Sequence, residues 1–427
     1  MLLLLPALAG GAQTSPALNA ADSARTARTS WNAAVTAFRA HDLATARVEI
    51  ERASSMWPTQ QAYVWSRVVL GAAMNDTTSL RRALLDYANL GLGRELTDTT
   101  FDRYRALPWF EALAAAHAAN RSVVARSRVF ATLSDSTLWP EGVDYDARHG
   151  KLYVTSVRHR TIVERAADGR ERDVWPRDSA TRGAVLAVRV DARRNSLWAT
   201  LAGLGALGGL SPADTSIAAI VEVRISDGAI LRRFDLPPSP HHTLGDVAIG
   251  PRGDVFVTDS DNPTLYRLRP GRDTLEQVTN PLFRSLQGSA PSPDGSTLYV
   301  ADYSHGLLRV DLRDNSVTRL RDAPHSTSLG CDGIVWFDNA IIAVQNGVAP
   351  ARIMRFHLDR AGTSIVRAEV LDRRPDVADE PTIGTLVGGE FVYIANSLWQ
   401  QYDAAGKLKP TGRLARPVLL AVPLAAR

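Results

Sequence analysis

The chain has 427 residues, 45% of them hydrophobic and 22% charged, with a formal net charge of +4. That composition builds globular cores and excludes a disordered chain. The charge is almost all arginine, with lysine only at Lys151, Lys407 and Lys409, and no basic run stands out. Nucleic-acid binding is therefore not expected, and a lone cysteine, Cys331, excludes an intrachain disulfide and a multi-cysteine metal site.

Met1–Ala12 is apolar and ends in small residues, like the apolar region and cleavage site of a signal peptide. It is too short to span a bilayer as a helix, and no other stretch is long and apolar enough to do so. The chain is expected to be exported, periplasmic or secreted, with 1–20 as leader and flexible start.

Trp31 to Ala119 reads as helical, with apolar residues at helical spacing such as Val35, Phe38, Leu43, Val48 and Ile50. Ala46, Ala53 and Pro58 fall where a tetratricopeptide repeat places its small packing residues and closing proline. The segment 21–121 is thus similar to a tetratricopeptide-type helical domain. Such repeats bury a shared face and often present a groove to a peptide or protein partner. The bland alternative is that the helices only pack on the C-terminal domain.

From Ser127 the period changes to short strands separated by turns. A hairpin unit recurs six times, clearest in Asp246–Ser260 and Gly288–Tyr303, where Pro and Gly set the tight turn. The other copies lie at 142–156, 185–200, 333–347 and 384–397. Aligned points at 246, 287, 332 and 382 are 41, 45 and 50 residues apart, the size of a four-stranded propeller blade. The second blade is longer because Leu201–Ser216 inserts a Gly/Ala/Leu-rich stretch, read as a flap. The sixth hairpin has one following strand, Pro417–Leu424, instead of two. Val123–Leu133, with Arg128–Leu133 at its core, is a strand with no partner of its own. The two deficits cancel if this strand completes the sixth blade and leaves no exposed edge there. The expected fold is an all-β six-bladed β-propeller over 122–427, preceded by a smaller all-α helical-repeat domain.

In a propeller, the residues leading into the inner strands converge on the channel mouth. Here they are Glu141, Gly183–Ala184, Asp246, Gln287, Asp332 and Thr382. Carboxylates that converge repel unless a cation or proton is present. Oxygen-only ligation suits a hard cation, Ca²⁺ first and Mg²⁺ or Mn²⁺ next. Each acid taken singly would more simply cap a turn. His241, His242 and His325 lie in loops leading to inner strands and would assist proton transfer or shape an anion pocket. Asp259, Asp302, Asn346 and Asn396 end second strands on the same face, and Tyr303, Trp139 and Trp399 either wall the pocket or belong to core and rim. Cys331, leading into a buried strand, is expected to be inert. No Gly-rich phosphate loop, Gly-x-Ser-x-Gly elbow or His-Glu-x-x-His motif is present.

Pro140-Glu141-Gly142, Gln287-Gly288 with Ser292–Asp302, and Cys331-Asp332-Gly333 resemble blade signatures of the senescence marker protein/gluconolactonase/luciferin-regenerating-enzyme superfamily. The similarity covers roughly 127–424, and the helical part lies outside it. The resemblance implies a divalent cation, usually calcium, on the channel axis. Carried over, the ligands are Glu141, Asp246, Gln287 and Asp332, with Asp246 and Gln287 standing where asparagine is common. It further implies an exported metal-dependent hydrolase of the lactonase/esterase type. Its small-molecule substrate would sit at the channel mouth, with Asp332 as base or nucleophile. The alternative is a non-catalytic propeller and helical-repeat scaffold of the cell envelope.

Overall fold

A computed structural model describes residues 20–177, 183–204, 217–237, 242–403 and 406–425. The leader Met1–Ala12, His241 and most of the Leu201–Ser216 insertion lie outside the described residues. No helix among the described residues is long and apolar enough to cross a membrane.

Five helices come first: α1 (Ala20–Arg39), α2 (Leu43–Met56), α3 (Gln61–Ala73), α4 (Thr77–Asn89) and α5 (Pro108–Arg121). Asp42 and Asp76 cap α2 and α4 by accepting from the Thr45 and Ser79 backbone N–H groups, both at 3.0 Å. Proline starts α5, where its missing N–H costs nothing. Small residues let the helices cross closely. Ala27, Ala46 and Ala53 are buried, and a Cβ on Gly71 would sit 2.9 Å from the Leu80 backbone nitrogen. The result is two successive helical hairpins, α1–α2 and α3–α4, with α5 packed on α4.

Six four-stranded antiparallel sheets complete the chain. Blade 1 is β2 (Val143–Asp146), β3 (Lys151–Ser156), β4 (Thr161–Arg165) and β5 (Glu171–Asp173). Blade 2 is β6 (Ala184–Asp191), β7 (Ser196–Ala202), β8 (Ala218–Arg224) and β9 (Ile230–Asp235). Blade 3 is β10 (Leu244–Ile249), β11 (Val255–Asp259), β12 (Thr264–Leu268) and β13 (Glu276–Val278). Blade 4 is β14 (Leu286–Pro291), β15 (Thr297–Asp302), β16 (Gly306–Asp311) and β17 (Val317–Arg319). Blade 5 is β18 (Cys331–Phe337), β19 (Ala340–Gln345), β20 (Arg352–Leu358) and β21 (Ile365–Asp372). Blade 6 is β22 (Gly384–Val387), β23 (Glu390–Ile394) and β24 (Val418–Pro423), completed by β1 (Arg128–Thr132). The β1 strand runs antiparallel to β24, with Arg128 opposite Ala421 and Thr132 opposite Val418. The ring closes by the N-terminal strand, as the strand count requires. Apolar side chains between neighbouring blades form the cores, for example Phe256, Leu298 and Val310 between blades 3 and 4.

The helices dock on blades 4 and 5. The Trp57 ring lies 5.3 Å from His305, and the Arg319 guanidinium sits 4.6 Å over it. Leu329 and Val348 join the helical cores. Thr59 Oγ1 donates to Asp322 Oδ2 at 2.9 Å.

Candidate active site at the channel mouth

Ladder register decides which residues are equivalent. In blade 3, Leu244 faces Asp259 and Val247 faces Val257. In blade 4, Leu286 faces Asp302 and Ser289 faces Val300. In blade 5, Cys331 faces Gln345 and Ile334 faces Ala343. Each inner strand bulges between these anchors. Gln287 and Asp332 are therefore equivalent, but their counterpart in blade 3 is Gly245. In blade 1, Val157 N–H bonds Trp139 O and Val143 faces Val154, which makes Glu141 equivalent to Gln287. In blade 2 the same count falls on Leu186, not Gly183–Ala184. Alignment on the aspartates thus places Asp246 one residue too near the mouth, because a bulge shifts the face without changing the sequence pattern.

Asp246 faces a partner deeper in the channel. Its Oδ1 lies 3.3 Å from Arg189 Nη2, and its Oδ2 accepts from Ser289 N–H at 2.8 Å. Arg189 also donates to Val247 O at 3.0 Å and pairs with Asp144 at 3.5 Å. Asp144 in turn accepts from Val190 N–H at 2.7 Å and from the Thr385 hydroxyl at 2.5 Å. Burial raises the Asp246 carboxyl, against the pull of Arg189 and the backbone N–H groups. This carboxylate already has a cation.

At the mouth the balance is different. Glu141, Asp332 and Glu380 come into one electrostatic neighbourhood from blades 1, 5 and 6. Burial pushes Glu141 well above the ordinary range, and the Asp332 and Glu380 carboxylates push it further, against a hydrogen bond from Trp399 Nε1. Burial pushes Asp332 up to about 7, with Asp246 and Glu380 adding to it against the Asn346 amide. Asn346 Nδ2 donates to Asp332 Oδ2 at 2.7 Å and to Pro381 O at 2.9 Å. Burial also raises Glu380, with Asp379 adding to it against Gln400 and Lys409. The Tyr303 phenol is raised by burial, helped by Asp332 and Glu380. Burial raises the Cys331 thiol as well, as expected for an inert cysteine.

Two buried acceptors in this cluster, Glu380 Oε2 and Asn346 Oδ1, have no hydrogen-bond partner. Among the described residues, no three His, Cys, Asp or Glu side chains gather as metal ligands do. Glu141, Asp332 and the unpartnered Asn346 Oδ1 offer oxygen donors only, the chemistry that a hard cation takes. Gln287 is half-buried, with its amide nitrogen 3.3 Å from Ser285 Oγ.

His242 and His325 are not brought to this cluster, and His241 lies outside the described residues. Both ring nitrogens of His242 are engaged, Nδ1 with Asp259 Oδ2 at 2.5 Å and Nε2 with Pro237 O at 3.0 Å. His325 is exposed and lines a groove of about 740 Å³ beside α2, α3 and α4. Asp302 accepts four backbone N–H groups, from Arg284, Ser285, Ser304 and His305. Asn396 bonds Val418 N–H and Arg416 O. These residues serve turns and strand ends. Trp139 stacks on Tyr402 with centroids 4.3 Å apart and meets Trp399 edge-on at 4.8 Å, forming an aromatic wall beside Glu141. Sequence reasoning missed Glu380 and Arg189. Glu380 was within reach: it precedes Thr382 by two residues in the loop leading into the sixth inner strand. Arg189 carried no signal, since it lies mid-strand.

Six blades surround a channel whose mouth gathers acids, with no salt bridge to Glu141, Asp332 or Glu380 among the described residues. Residues 139–342 match the family described as "SMP-30/Gluconolactonase/LRE-like region". No curated protein matches the chain. Among solved structures, a gluconolactonase from Xanthomonas campestris is 16% identical, with 72% of this chain and 93% of that one covered, at a TM-score of 0.48. A calcium-binding regucalcin from Agrobacterium tumefaciens is 15% identical, covering 69% and 93%, at 0.45. A virginiamycin B lyase from Staphylococcus aureus is 14% identical, covering 68% and 97%, at 0.46.

Proposed function

We propose that the protein is a divalent-cation-dependent hydrolase of the lactonase/esterase type, acting on a small molecule at the channel mouth. The observation that carries this reading is the pairing of Glu141 with Asp332 beside Glu380, buried and without an ion-paired cation among the described residues. The match of residues 139–342 to the SMP-30/gluconolactonase/LRE-like region agrees with it. Glu141, Asp332, Asn346 and Gln287 would hold the ion, calcium first. When bound, it would polarise an ester carbonyl and offset the clustered negative charge.

The chain's own groups supply the rest. Asp332 is raised to about 7 in the cation-free site, and a bound cation would favour its carboxylate, the form a base or nucleophile needs. Asn346 N–H fixes one of its oxygens, and Trp399 N–H fixes Glu141. Tyr303, kept protonated by burial and the neighbouring carboxylates, stands at the rim as a donor.

The test is turnover of a lactone and aryl-ester panel by the full chain, with chelation and calcium add-back, beside Asp332→Ala. Turnover should vanish on chelation and return with calcium, and Asp332→Ala should lower kcat by about 10²–10³. Turnover indifferent to both treatments would overturn the reading. Calcium binding without any turnover would favour the second reading, a non-catalytic envelope protein whose helical groove beside His325 takes a protein partner. Export is also proposed, on the apolar Met1–Ala12 stretch. Sequencing the mature N-terminus checks it, and an intact Met1 would count against it.

A further inference from the structure

Three consecutive residues leave the end of β19 at the mouth: Gln345, Asn346 and Gly347. Each has a different job. Asn346 holds Asp332 and the Pro381 carbonyl. Gln345 and Gly347 are both tied to the helical unit.

The first tie runs through Arg352. Its Nε donates to Gln345 Oε1 at 2.7 Å, and its Nη1 donates to Gly91 O, just past α4, at 2.6 Å. Gln345 spends its own amide on Thr327 O and Leu329 O, at 2.9 and 2.7 Å. Both side chains are buried, so these bonds are shielded from water. The second tie is direct. Gln61, the first residue of α3, donates Nε2 to Gly347 O at 2.7 Å.

The turn they hold has little room. Gly347 N–H bonds Gly330 O at 3.0 Å, and Gly330 N–H bonds Tyr303 O at 2.9 Å. A Cβ on Gly347 would lie 2.6 Å from Gly330 Cα and 2.7 Å from the Tyr303 ring. Only glycine fits this crossing, and a backbone packed so closely passes a displacement on rather than absorbing it. Gly347 thus lies between α3 on one side and Tyr303 on the other, with Asn346 adjoining it in the chain.

We infer that Gln61 of the helical unit is a positioning residue for the channel-mouth site, bracing the Gln345–Gly347 turn so that Asn346 stays on Asp332. The helices lie outside the family-matched span, yet through this turn they complete the site. The inference rests on the proposed cation site for its functional consequence, but the brace itself does not.

The experiment uses the full chain and three proteins: wild type, Gln61→Ala and, as control, Thr59→Ala. The control removes a hydrogen bond of the same interface, to Asp322, without touching the turn. Backbone hydrogen exchange by mass spectrometry reads residues 345–348, and calorimetry reads Ca²⁺ affinity in each. Gln61→Ala should exchange faster at 345–348 and bind Ca²⁺ about tenfold more weakly, while Thr59→Ala changes neither. Unchanged exchange in Gln61→Ala overturns the brace. Faster exchange with unchanged calcium affinity overturns its link to the site, and so do equal losses in both variants. A wild type that binds no calcium sinks the proposed cation site instead, while exchange still decides the brace.

Discussion

The channel interior and the channel mouth carry the same chemical groups and treat them in opposite ways. Inside, Asp144 and Asp246 flank Arg189, and backbone N–H groups and the Thr385 hydroxyl take up the remaining oxygens. At the mouth, Glu141 and Asp332 have neutral donors in Trp399 and Asn346, and mainly other carboxylates' charge to face. Burial raises both Asp246 and Asp332. Only the interior offsets that cost with a paired arginine. A compensated carboxylate is part of the scaffold, whereas an uncompensated set stores unfavourable energy that a proton, a cation or a substrate can relieve.

The largest test of this contrast is Arg189→Met. It leaves two inner-channel carboxylates without their cation, and it should lower unfolding free energy by about 3 kcal/mol in chemical denaturation. A loss below about 0.5 kcal/mol would show that the interior is not compensated by Arg189 at all. Next comes Asp332→Asn, which should do the opposite at the mouth. Because the folded pKa of Asp332 is raised to about 7 from 3.8, its contribution to stability is fully present below the lower value and is lost as pH rises through the upper one. The cation-free wild type should therefore lose stability between about pH 4 and 7, and Asp332→Asn should flatten that slope. Near pH 8 the variant should be the more stable protein by on the order of 1–2 kcal/mol, while losing calcium binding. A variant less stable than wild type at that pH would place Asp332 with the scaffold. The smallest effect belongs to His325→Ala, which should leave turnover within about twofold because the ring lines the helical groove and not the acid cluster. A hundredfold loss would bring a histidine back into the chemistry.

The hairpin repeat and the strand deficit were legible along the chain because both are local. Turn residues at fixed offsets and alternating strands specify a hairpin without reference to anything distant, and counting strands then demands that β1 pair with β24. Glu141 and Asp332 were legible for the same reason, as equivalent positions of a repeat. The position of Asp246 was not. The bulge in each inner strand moves the face by one residue, and only the ladder partners reveal that Gly245 is the true equivalent of Gln287. Proximity in sequence to a mouth residue says nothing about where a ring nitrogen finds its acceptor, as His242 shows with Asp259 and Pro237.

The order of residues alone therefore specifies the propeller, its closure, the helical unit before it and the family resemblance that residues 139–342 carry. The division of labour among the acids and the reach of the helices depend on the folded arrangement. Arg189 lies 57 residues from Asp246 in the chain, and Gln61 lies 286 residues from Gly347. Contacts of that span leave no periodic trace in a single sequence. They exist because ring closure and docking bring distant backbones together, and charge compensation is settled only once they meet.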